Sequence, residues 1–254
     1  MTEPRRVVLK IAYDGSGFFG WQIQNHCRSV QESIERALTR IVKSPVSLVC
    51  AGRTDTGVHA TSQYAHFDYL GRMQEQDFVR ALNRNLNHDI RILNVQFVSP
   101  DFHSRYKAYE RGYLYILAKE VVPFHRYYRG FIINQRLDLT KLKILSTPLL
   151  GRHDFSSFAQ YNPEVPNRVC EIKEITISET EDHYQFRIRA DRFLHNMVRR
   201  IVGTLCNLCT KNMSPEDMHR ILLEADPRQT LVVPAPAAGL YLTDVLYPDQ
   251  YGIE

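Results

Sequence analysis

The ten residues Ala51-Gly-Arg-Thr-Asp-Thr-Gly-Val-His-Ala60 bring one carboxylate, a guanidinium, an imidazole and two glycines into a single short stretch. Asp55 is its centre, and Arg53 stands two residues before it. A cation near a carboxylate favours the ionised form. An Asp kept anionic can act as a nucleophile or as an electrostatic partner. It is poorly suited to holding a proton near neutral pH. Gly52 and Gly57 bracket the loop and allow positive φ or a close approach to a ligand. Asp, Thr and Gly are also common turn formers, so a plain polar turn would use the same letters. What sets this turn apart is the density of reactive groups between an aliphatic strand and an alternating one.

Asp55-Thr-Gly57 is also the short signature of an aspartic protease, an enzyme in which two carboxylates share a proton. The tripeptide occurs once in this chain, and Arg53 disfavours a shared proton. Tyr113 reads as a strand residue with Arg105, Lys107 and Arg111 close in sequence. Aromatic side chains interleaved with cations stack bases and hold phosphates. Arg199 and Arg200 interrupt an apolar helical face. Either an arginine there finds an anionic partner or both snorkel at the edge. Asp55 would suit Arg199 as that partner. His59, His66 and His195 stand at no metal-ligand spacing, and no glycine-rich phosphate loop is written in the chain. Cys206 and Cys209 form a C-x-x-C without a second ligand pair. They read as buried thiols.

The elements that must position these groups follow from periodicity. Residues 6–13 alternate as a strand that ends at Asp14-Gly-Ser-Gly17. Ser29-Val-Gln-Glu32 is a capping box, and Val30, Ile34, Leu38 and Ile41 form the apolar stripe of the helix behind it. Strands are expected over 45–51, 62–69 and 91–98, with a helix over 77–86. This strand, helix, strand, strand, helix, strand order is the ferredoxin-like split βαβ pattern. Further strands are expected over 110–118, 169–179, 184–190 and 239–247. Helices are expected over 138–150, 192–210 and 214–225, and an aromatic segment over 124–134. The second half thus repeats the first with an extra helix. The fold class is α+β: two merged ferredoxin-like halves, residues 1–103 and 104–254, forming a continuous antiparallel sheet with helices on one face and a central cleft.

At 254 residues the chain can hold one large domain or two small ones. The net charge of +4 permits a nucleic-acid partner without demanding one. No apolar run reaches the roughly 20 residues of a membrane helix. The start passes straight into a strand, so no signal peptide is expected. Five cysteines in no framework spacing suit a reducing, cytoplasmic setting.

Several ordered motifs resemble the TruA-type tRNA pseudouridine synthases along nearly the whole chain. They are Asp14-Gly-Ser-Gly-Phe-Phe-Gly-Trp-Gln22, the loop 52–60, Phe102-His-Ser-Arg105, Arg111-Gly-Tyr-Leu-Tyr115, Phe193-Leu-His-Asn-Met-Val-Arg199 with Gly203, and Gly239-Leu-Tyr-Leu242. Thr56 stands where the family usually has Ala, and Glu110 and Gly112 where it often has basic residues. The resemblance implies a homodimer acting on uridines 38, 39 and 40 of the tRNA anticodon arm, without cofactor or metal. It implies that Asp55 is the catalytic aspartate and that Arg53 fills the gap left by an extruded base. Tyr113 would lie against the uracil, Arg199 would pair with Asp55, and Leu240 would line an apolar wall. The rival reading is a non-catalytic RNA-binding protein with two tandem RNA-recognition-like halves, which would not need Asp55 beside Arg53.

Overall fold

The computed structural model describes residues 4–132 and 137–253. In chain order the elements are β1 (Arg5–Tyr13), α1 (Val30–Val42), β2 (Val49–Cys50), β3 (His59–Tyr69), α2 (Glu75–Asn85), β4 (Ile90–Val98) and β5 (Glu110–Ala118). There follow α3 (Leu139–Ser146), β6 (Gly151–Asp154), β7 (Val169–Glu179), β8 (His183–Ala190), α4 (Met197–Thr210), α5 (Pro215–Glu224) and β9 (Leu240–Leu246). The class is α+β. The chain forms two compact units: residues up to Glu110 together with those from Tyr241 onward, and residues Arg111 to Leu240.

In the first unit the order is β4-β1-β3, with β2 also against β3. These pairings are antiparallel, which is the split βαβ arrangement. β9 adds to β3 in parallel, His59 opposite Tyr241 and Ala60 opposite Leu242. Val7, Leu9, Ile11 and Tyr13 of β1 are buried, as a period of two requires for one face on the core. The α1 start was legible locally. Ser29 caps it by accepting from the Glu32 N–H, and Val30, Ile34 and Leu38 are fully buried. α2 buries Phe78 and Leu82 on the same logic.

In the second unit the antiparallel order is β5-β8-β7-β6. α4 is apolar almost all round, with Met197, Val198, Ile201, Val202 and Leu205 buried, as befits a central helix. It begins at Met197 rather than at 192. Asn196 takes a left-handed φ of 63° there, and the Met197 N–H closes a turn on the Leu194 carbonyl, so residues 192–196 form a loop. α3 ends at Ser146, and a 3-10 turn holding Pro148 replaces its expected last turn. Residues 133–136 of the expected aromatic segment lie outside the described residues; Pro123–His125 within it form a 3-10 turn. Among the described residues no helix is long and apolar enough to cross a membrane.

Candidate active site

The Asp55 loop leaves β2 and enters β3 through a tight turn. The Val58 N–H donates to the Asp55 carbonyl at 3.1 Å, and Gly57 between them has φ +76°. A residue at that third turn position needs positive φ, which glycine supplies without strain. The Asp55 side chain is half-buried, whereas Arg53 and Thr56 are exposed.

Backbone contacts hold this turn from several sides. The Ala51 N–H donates to the Tyr64 carbonyl at 2.8 Å, and Gln63 Nε2 donates to the Gly52 carbonyl at 2.7 Å. The Gly57 N–H donates to the Phe18 carbonyl at 3.3 Å, and the Trp21 N–H to the Thr54 carbonyl at 3.0 Å. Thr54 is buried, and its hydroxyl shares a 2.7 Å hydrogen bond with the Tyr13 hydroxyl. Gly20 has φ +85°, and a Cβ there would stand 2.7 Å from the Thr54 carbonyl oxygen. Only glycine lets the two loops approach so closely.

The loop of residues 14–22 is itself fastened to α1. The first N–H groups of a helix lack intrahelical acceptors. Here the Val30 N–H donates to the Gly20 carbonyl and the Gln31 N–H to the Trp21 carbonyl. Phe18 and Trp21 are buried at 2% and 1% exposure, and each such ring contributes about 1.5–3 kcal/mol to keeping the loop in place. Arg28 forms a two-point ion pair with Asp89 at 2.7 and 3.1 Å and lies over the Phe18 ring. Sequence reading singled out residues 14–22 as a motif but gave them no task. Their task is to brace the Asp55 turn.

Arg53 enters no salt bridge among the described residues. Its charge is felt by Cys50, but burial dominates there and pushes the thiol up to about 12. Downstream, Phe102-His-Ser-Arg105 is pinned to β3 through His66. The Ser104 N–H donates to His66 Nδ1 at 3.1 Å, and the Ser104 hydroxyl lies 2.9 Å from the same nitrogen. Arg6 binds Asp68 through two nitrogens and also donates to the Phe102 carbonyl. Beyond this anchor Tyr106 is 74% exposed, stacked on His103 with the Arg105 guanidinium nearby. An exposed ring flanked by cations suits contact with nucleic acid. Periodicity could not single out Tyr106, because it lies on a loop.

In the second unit Tyr113 lies on β5 opposite Ile188, half-buried, with its ring edge-on to Phe193 at 5.1 Å. Arg199, in the first turn of α4, is held by its own donors. Nε donates to the Ala235 carbonyl and Nη1 to Asn196 Oδ1, both at 2.8 Å, while the Arg199 carbonyl accepts from the Ala235 N–H. Arg200 is half-buried with Nε lacking an acceptor, and burial, then Arg199, lower its pKa. Leu240 is buried at the start of β9. Cys206 and Cys209 are buried in α4, and burial raises both pKa values, so they are held as thiols.

A family model described as tRNA pseudouridine synthase matches residues 10–107 and 146–248. A tRNA pseudouridine synthase A of Bacteroides fragilis is 38% identical over 248 residues, covering 97% of this chain and 98% of that protein. Proteins of the same name from Pseudoalteromonas translucida and Escherichia coli are each 36% identical, covering 98% of this chain and 94% and 92% of theirs. Among solved structures, a Cbf5–Nop10–Gar1 complex is matched over 92% of this chain and 57% of that one, at 11% identity and a TM-score of 0.34. So slight a likeness carries no argument.

Proposed function

The chain belongs to the tRNA pseudouridine synthase family, and from that premise we propose that it isomerises uridines 38, 39 and 40 in the anticodon arm of tRNA, with Asp55 as the catalytic carboxylate. Pseudouridine synthesis in tRNA is the family's reaction. The glycosidic carbon–nitrogen bond breaks, the uracil turns, and a carbon–carbon bond forms to C5 in its place. The C5 proton leaves and N1 gains one, so the product is an isomer of the substrate. The reaction needs neither an oxidant nor a hydrolytic water. It needs a fixed anion, a pocket for a flipped base and exclusion of solvent from the detached uracil.

The observation that carries the reading is the Asp55 turn. A half-buried carboxylate stands on a turn whose flanks are hydrogen-bonded to Phe18, Trp21, Gln63 and Tyr64. Such fixed placement is what near-attack geometry requires. The remaining roles rest on the motifs. Exposed Arg53 would take the place of the extruded base. Tyr113 would lie against the uracil and accept the C5 proton, Arg199 would pair with Asp55 and keep it ionised, and Leu240 would form part of the apolar wall of the substrate pocket. A homodimer in the cytoplasm completes the proposal.

The test is Asp55→Asn, assayed for tRNA binding and for pseudouridine in a single turnover. Binding within about threefold of wild type and product below about 10⁻³ of it are expected. Wild-type product formation would remove Asp55 from the chemistry. Mapping tRNA from cells lacking the protein tests the positions: uridine should persist at 38, 39 and 40.

A further inference from the structure

His59 follows Asp55 by four residues, and the role just proposed for Asp55 gives it no chemistry. The residue is nevertheless 2% exposed and closely surrounded. The ring stacks on Tyr241 at 4.6 Å and 19°. Nδ1 accepts the Gly15 N–H at 3.1 Å and lies 3.2 Å from Asp14 Oδ1. Gly15 itself touches the end of the turn, since a Cβ there would stand 1.9 Å from the Val58 carbonyl oxygen.

These contacts close a circuit. The Gly57 N–H donates to the Phe18 carbonyl, and the Phe18 N–H to the Gly15 carbonyl at 3.0 Å. The Gly15 N–H then returns to His59, two residues beyond Gly57. The circuit thus runs from the turn, through the bracing loop and back to the strand that leaves the turn. Every link but one is backbone to backbone. The exception is His59 Nδ1, which closes the circuit on the strand that leaves the turn. We propose that His59 is a positioning residue for Asp55, acting through the contact of Nδ1 with the Gly15 N–H, which locks the bracing loop onto the catalytic turn. The inference rests on Asp55 being the catalytic carboxylate.

The position of the acceptor supplies the test. Asn at 59 places an amide oxygen near the site of Nδ1, whereas Gln places its amide near the site of Nε2. Single-turnover rates with enzyme in excess, together with tRNA affinity, are measured for His59→Asn, His59→Gln and His59→Phe. A misplacement of about 1 Å costs on the order of 10²-fold in rate. His59→Phe and His59→Gln are expected to be slower by about that factor, and His59→Asn by less than about tenfold, with affinities within about threefold of wild type. The Asn and Gln variants both keep a polar amide, so the comparison stands even where Phe does not fold. Equal rates for Asn and Gln would overturn the proposal, as would losses in affinity that match the losses in rate. Asp55→Asn run alongside separates the two claims. An inactive Asp55→Asn with His59 variants at wild-type rate sinks the His59 role alone; an active Asp55→Asn sinks both.

Discussion

The Asp55 turn and the Arg199 helix start are fixed in opposite ways. Around Asp55 the main chain makes most of the contacts, through the N–H or carbonyl groups of Ala51, Gly52, Thr54 and Gly57. Glycine at 20 and 57 makes the geometry possible. These braces run through the main chain on either side of Asp55. Arg199 instead is held by its guanidinium, which donates to Ala235 and Asn196. A group meant to meet a reacting atom gains from being positioned by its backbone, because the braces then do not depend on the side chain's rotamer or protonation. A cation with five donors can use two for anchorage and still present charge. The first region should therefore be sensitive to an added Cβ, and the second to lost donors.

The largest expected effect is Gly20→Ala. The new Cβ would enter the Thr54 carbonyl at 2.7 Å on a backbone with φ +85°. Either the bracing loop or the catalytic turn must move. A loss of about 10²-fold in single-turnover rate and of about 2 kcal/mol in stability is expected, with tRNA affinity nearly kept. A normal rate would show that the turn tolerates displacement, and the contrast between the two regions would fail.

Arg199→Lys comes next. Lysine keeps the charge but loses the Nε–H to Ala235 and the planar fork that reaches Asn196 at the same time. One charge-assisted hydrogen bond is worth about 1.5 kcal/mol, so a fall of about tenfold in rate is expected. Lysine at full wild-type rate would mean that charge alone matters at 199 and that the anchorage is incidental.

How much of this was legible in the sequence depended on range. The α1 cap was readable because Ser29 and Glu32 lie three residues apart. Asp55 stood out because its reactive neighbours share its loop. The braces did not stand out. Tyr13 meets Thr54 across 41 residues, and Gly15 meets His59 across 44. No periodicity encodes such meetings. Short or polar pairings were missed for a related reason. β6 is only Gly-Arg-His-Asp, and of the strand expected over 45–51 only Val49 and Cys50 pair with β3. Arg199 was noticed as a cation on an apolar helix. The left-handed Asn196 that starts the helix beneath it could not be read, because the turn there depends on the fold around it.

The smallest expected effect on rate comes with a pH-dependent effect on stability, and it concerns a segment that a side chain ties to β3. His66 must be neutral to accept the Ser104 N–H. Burial, then the charges of Arg6 and His103, lower its pKa from 6.5 to about 4. An unfolded chain therefore binds a proton near pH 6.5 that the folded chain refuses until about pH 4. The stabilisation is complete above pH 6.5 and is lost as pH falls from there towards 4, by up to about 3 kcal/mol. His66→Asn places an oxygen near Nδ1 that cannot titrate. Thermal melts of the two proteins should diverge between pH 7 and pH 5, the variant losing less, while single-turnover rates at pH 7.5 differ by less than about threefold. Parallel melting curves would mean that the Ser104 tie survives protonation. The 102–106 strap would then belong with the backbone-held region, and the line between the two modes of fixation would have to be drawn elsewhere.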